Sequence, residues 1–121
     1  MVRDRVVADL ATQLWRMRKR MLDADTGGPR EEVRGEYRAL EAAWDALSEA
    51  GVDIRDYTGK RMPQTGSYTV SVLAFEPTPG VTHEVITETV KPSVYFDGER
   101  IQMAEVVVAT PEDSEETAQE Q

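Results

Sequence analysis

The chain has 121 residues, a formal net charge of −9 and no cysteine. The missing thiols exclude a disulfide framework and a thiolate metal site, and no apolar run approaches the roughly 20 residues needed to span a bilayer. This length supports one domain, or two small modules sharing a core.

A chain this short buries only about two thirds of the surface its unfolded form exposes. Pairing with a second copy is the ordinary remedy when nearly half of it is amphipathic helix. The opening Met1-Val2-Arg3-Asp4 lacks the apolar core of a signal peptide, so a cytoplasmic location and no membrane association are expected. The charge is uneven. Residues 1–22 carry six basic and two acidic side chains, whereas the last ten hold five acids and no base. Only Arg16, Arg18, Lys19 and Arg20 offer a basic run, which is too small a footprint for nucleic acid to be expected as a partner.

In the first segment the apolar residues Val7, Leu10, Leu14, Met17 and Met21 recur in alternating steps of three and four, and Val6 and Leu22 widen the stripe. No proline or glycine interrupts residues 3–23, which predicts one helix of about six turns. Asp25-Thr26-Gly27-Gly28-Pro29 then breaks the pattern, because glycine permits positive φ and proline suits the first turn of a new helix.

A second helix is predicted from Pro29 to Ala50, with Val33, Tyr37, Leu40, Trp44 and Leu47 as its seam and Gly51 as its stop. The two seams are out of phase, which points to a helical hairpin or a bent pair. Both seams are expected to lie in a core or a dimer interface, with residues 1–50 forming a dimerisation stem.

After Gly51 the patterning turns to β. Val52 to Arg55 alternates as a short strand, Thr58 to Gly66 reads as a loop, and Tyr68 to Phe75 alternates with period two. Pro77-Thr78-Pro79-Gly80 is expected to end that strand as a turn. Residues 81–96 are β-rich, but Pro92 argues against one long central strand. Asp97-Gly98 is a hairpin turn, and Ile101 to Ala109 is expected to form the last strand. A small β domain over residues 51–111 and a disordered acidic tail over 112–121 complete the expected α+β organisation.

The catalytic inventory is sparse. His83 is the sole histidine and follows a turn, so the usual zinc sites are excluded. Glu31, Glu32, Glu36, Glu41 and Asp45 interleave with Arg30, Arg34 and Arg38 in the manner of a solvated helix face. Gly59-Lys60 matches only the tail of a phosphate-binding loop. Neither enzymatic activity nor a cofactor is expected.

Helices that end in Gly51-Val52-Asp53-Ile54 are followed by a β segment that closes with Tyr95-Phe96-Asp97-Gly98-Glu99-Arg100-Ile101 and Ala104-Glu105-Val106-Val107-Val108-Ala109. Over residues 40–110 this order resembles the C-terminal β domain of GrpE, the nucleotide exchange factor of Hsp70 (DnaK-type) chaperones. Residues 1–39 share only helical character with that family.

The resemblance implies a homodimer whose β domains bind the nucleotide-binding domain of an Hsp70-like ATPase and hasten ADP release, with no chemistry performed. It further implies a partner surface on the last hairpin and its flank: Tyr95, Asp97, Glu99, Arg100, Gln102 and Met103, with Phe75 and Pro77 beside them. Glu99 and Gln102 stand where the family carries arginines, and both predicted helices are shorter than the family stem. These departures point to a specialised Hsp70-like ATPase rather than ordinary DnaK. The competing expectation is a homodimeric coiled-coil adaptor whose β domain docks another regulatory protein without exchange activity.

Overall fold

The computed structural model describes residues 2–62 and 69–112. The fold is α+β: helix α1 (Val2–Met21), a 3-10 turn (Glu31–Val33), helix α2 (Arg34–Glu49), and strands β1 (Val52–Arg55), β2 (Val70–Thr78), β3 (Val85–Lys91), β4 (Ser93–Phe96), β5 (Glu99–Gln102) and β6 (Ala104–Pro111). The strands form two three-stranded sheets, ordered β1-β4-β5 and β2-β6-β3.

The chain divides into two compact units. One holds residues up to Ile54 together with Val94–Gln102, and the other holds Arg55–Ser93 and the segment from Met103. This boundary differs from the one expected at residue 50. The first strand and the last hairpin group with the helices, so the chain passes between the units three times.

In the helical unit α1 ends close to its predicted limit. Asp23 organises the following turn, its Oδ1 accepting from the Asp25 amide at 2.7 Å, while Asp23 N donates to Gly28 O at 2.7 Å. Arg30 N then donates to Met21 O at 2.8 Å, which closes the connection. The second helix departs from expectation at its start: residues 31–33 form a 3-10 turn, and α-geometry begins at Arg34.

The buried face of α1 is Ala8, Ala11, Thr12 and Trp15 rather than the larger residues of the predicted seam. Small side chains let the sheet approach the helix closely: Ala11, Val52 and Val94 form one buried cluster, with Val7, Leu47, Ile54, Phe96 and Ile101 packed around it. Tyr37 and Leu40 of α2 are buried, while Trp44 stacks under Arg18, whose guanidinium carbon lies 4.7 Å from the ring centroid. Arg18 Nε also reaches Tyr37 Oη at 3.4 Å, and the Lys19 ammonium sits 4.4 Å from the Trp15 centroid. Part of the basic run of α1 is therefore committed to aromatic rings, worth about 0.5–1 kcal/mol each where exposed.

In the second unit β6 is the central strand, parallel to β2 and antiparallel to β3. Ile86, Ala104, Val106 and Val108 form its core with Tyr57, and Met62, Val70 and Val72 pack against it. Thr58 to Met62, expected as part of a loop, instead lies along β3: Ile86 N donates to Lys60 O at 2.8 Å, Gly59 N to Ile86 O at 2.7 Å, and Met62 N to Glu84 O at 3.1 Å. The rest of that predicted loop, from residue 63, and Tyr68 lie outside the described residues. The buried Thr89 is satisfied by this segment: its Oγ1 accepts from Tyr57 N at 3.1 Å and from the Thr58 hydroxyl at 3.0 Å.

Two further expectations require correction. Strand β2 runs on through Pro77 to Thr78, because among the described residues it lies at the edge of its sheet beside β6, and an edge strand tolerates a missing N–H. The last strand is not continuous from Ile101 to Ala109. It breaks at Met103, and the two parts pair in different sheets. The opposing strand breaks at buried Pro92, and the neighbouring Ser93 Oγ accepts the Ala104 amide at 3.1 Å. Pro92 and Ser93 thus stand where the chain leaves one sheet for the other.

Candidate functional site

The β4–β5 hairpin carries most of the residues expected at a partner surface. Its turn has positive φ at both Asp97 (52°) and Gly98 (84°), the geometry that matches the right-handed twist of a hairpin. The pairing sets Tyr95 opposite Arg100 and Phe96 opposite Glu99, with a register shift between Val94 and Tyr95. Side chains alternate along a strand, so Tyr95 and Arg100 share the face opposite the buried Val94.

Besides the pairing of β4 with β1, bonds at the turn and at the base fasten this hairpin to its unit. Asp97 N donates to Gly51 O at 3.0 Å, which ties the turn to the end of α2. Gln102 Nε2 donates to Thr12 Oγ1 at 2.9 Å, while that hydroxyl donates to Ala8 O at 2.8 Å. Gln102 is thereby committed to α1 and acts as a fastener of the surface rather than an outward contact. The need for glycine at position 51 is direct: its φ is +95°, and a Cβ there would collide with Asp97 Oδ1.

A groove of about 420 Å³ runs between the N-terminal half of α1 and β5, lined by Asp4, Arg5, Ala8, Asp9 and Glu99 to Gln102. Three of its side chains are carboxylates and two are guanidiniums, a mixture that selects neither an anion nor a cation. Among the described residues there is no group of His, Asp and Glu that could hold a metal ion. The described helices include none long and apolar enough to cross a membrane.

Tyr95, Asp97, Glu99, Arg100 and Gln102 therefore lie together on one hairpin, whereas Phe75, Pro77 and Met103 belong to the other unit. Phe75 is 57% exposed on β2, and its neighbour Leu73, not singled out from the sequence, is 53% exposed. Leu73 sits where β2 bulges, between Val72 and Ala74, and a bulge cannot be read from period-two alternation.

The seam residues also divide. Tyr37 and Leu40 are buried, and Leu47 packs on the Ala11 cluster, so the α2 seam is used within the chain. Val33, Trp44, Val7, Leu14 and Met21 are half-buried. Leu10 and Met17 stay 52% and 46% exposed, alongside exposed Val2 and Val6. The chain matches no known protein family, no curated protein and no solved structure.

Proposed function

We propose that this protein is a GrpE-like co-chaperone, a homodimer that binds the nucleotide-binding domain of an Hsp70-like ATPase and promotes ADP release. The observation that carries this reading is the β4–β5 hairpin, which presents Tyr95 and Arg100 on one face while its turn and base are bonded to the helical unit. An exchange factor shifts its partner's equilibrium only as far as it prefers the open state, so its contact face has to resist deformation. A hairpin fastened at both ends meets that need. The exposed residues of α1 supply the face for a coiled-coil dimer. Cytoplasmic location follows from the partner.

The hairpin can be tested directly. Arg100→Glu is expected to weaken binding to the ATPase by at least about 10-fold, as loss of an interface anchor does, with unfolding stability unchanged because Arg100 is exposed. Tyr95→Ala is expected to weaken binding similarly. Titration of each variant against the isolated ATPase measures this, and unchanged affinity in both would remove the hairpin from the interface. The second reading, a dimeric adaptor that docks a regulator without exchange, rests on the same exposed face. It predicts binding with no change in nucleotide release.

A further inference from the structure

A sheet leaves a row of unpaired N–H and C=O groups at each edge, and natural chains cover or interrupt such rows. The sheet β2-β6-β3 does both: the segment Gly59 to Met62 bonds along β3, and β2 carries a bulge at Leu73 and a proline at position 77. Strand β5 lies at the edge of the other sheet, beside β4, with no proline and, among the described residues, no strand on its outer side.

The Asp97-Gly98 turn closes on the Phe96–Glu99 pair, so those two residues exchange main-chain bonds and the next pair, Tyr95 and Arg100, does not. The N–H and C=O of Arg100 are therefore directed away from β4, towards the edge. Among the described residues no main-chain bond from outside the hairpin reaches Arg100.

This edge forms one side of the groove of about 420 Å³, and α1 forms the other through Asp4, Arg5, Ala8 and Asp9. A free ion finds both signs of charge there, but a peptide laid along β5 does not meet them equally. Glu99 shares a face with Phe96, and the Arg3 guanidinium lies 5.3 Å from the Phe96 centroid, so this face is turned to α1. Arg100 turns its side chain to the Tyr95 face. A residue of an added strand that points towards α1 thus meets Asp4, Asp9 and Glu99 against Arg5. Neither Asp9 nor Glu99 has an ion-pair partner among the described residues.

We propose that β5 binds an extended segment of a partner polypeptide as an added strand, with a lysine or arginine of that segment directed at the α1 wall. Main-chain bonding at Arg100 supplies affinity for any extended chain, and the carboxylates select the side chain. This binding does not depend on exchange activity.

A fluorescent peptide that alternates valine and threonine around one central lysine serves as the probe, with anisotropy as the readout. It is expected to bind, and the same peptide methylated at every backbone nitrogen is expected to bind at least about 10-fold more weakly, because pairing needs its N–H groups. Asp9→Lys is expected to weaken binding of the parent peptide by about 3- to 10-fold. Arg100→Pro removes the outward N–H without taking a bond from β4, so the hairpin is expected to persist while binding falls; Arg100→Ala keeps the N–H and is expected to keep the peptide. Equal affinity for the parent and methylated peptides, or no binding of the parent below about 1 mM, would overturn the added strand. A glutamate-centred peptide that binds as tightly as the lysine-centred one would overturn the selection of a basic side chain. No ATPase enters these titrations, so their failure and the failure of the exchange reading are separate results.

Discussion

Ile86→Ala is expected to cost about 2–5 kcal/mol of unfolding free energy, the range for removing a large aliphatic side chain from a closed core. Ile86 is fully buried and sits among Tyr57, Val106 and Val108, with Val108 its direct partner across β3 and β6. Its backbone also bonds to Gly59 and Lys60, so the covering segment cannot readily collapse into the space left by the side chain. Denaturant unfolding followed by fluorescence or circular dichroism measures the loss. A change below about 1 kcal/mol would mean that this sheet packs far more loosely than Ile86 requires.

The second large effect is expected at Gly51. A non-glycine residue held at positive φ costs about 1–3 kcal/mol, and here the added methyl also meets the Asp97 carboxylate. Gly51→Ala is therefore expected to lose about 2–3 kcal/mol and to displace the hairpin turn, because Asp97 N depends on the Gly51 carbonyl. Combining it with Asp97→Gly removes the collision but leaves the strained φ, so roughly 1 kcal/mol should return. If the double variant is no more stable than Gly51→Ala, the cost is purely conformational and the side-chain contact is immaterial. In either case partner affinity should fall with Gly51→Ala, since the Tyr95 and Arg100 face is positioned through that turn.

Much of this architecture was legible because local chemistry and fold agree. The break at Asp25 to Pro29, the stop at Gly51, the Asp97-Gly98 turn and the interruption at Pro92 each follow from a residue with a narrow conformational preference. What was not legible depends on contacts distant in sequence. Ile101 to Ala109 reads as one strand because its composition stays β-like across Met103. The division appears only once Pro92 and Ser93 lie opposite it and Ser93 takes the Ala104 amide.

The α1 seam is expected in a core or a dimer interface, and the chain's own packing with Val52 and Val94 selects Ala8 and Ala11, leaving Leu10 and Met17 outside it. Large residues left outside an otherwise packed helix are what a second copy would cover. At the candidate site, the grouping of Tyr95, Asp97, Glu99 and Arg100 followed from their closeness in sequence. The commitment of Gln102 to Thr12, 90 positions away, could not be read from the sequence.

The most direct test of the proposed function is the release of a fluorescent ADP analogue from an Hsp70-like ATPase of the same organism, followed by stopped flow with increasing amounts of this protein. Release is expected to accelerate and to saturate, with Arg100→Glu shifting the midpoint to higher concentration. Binding that leaves the release rate unchanged at saturation would contradict exchange activity and favour the adaptor.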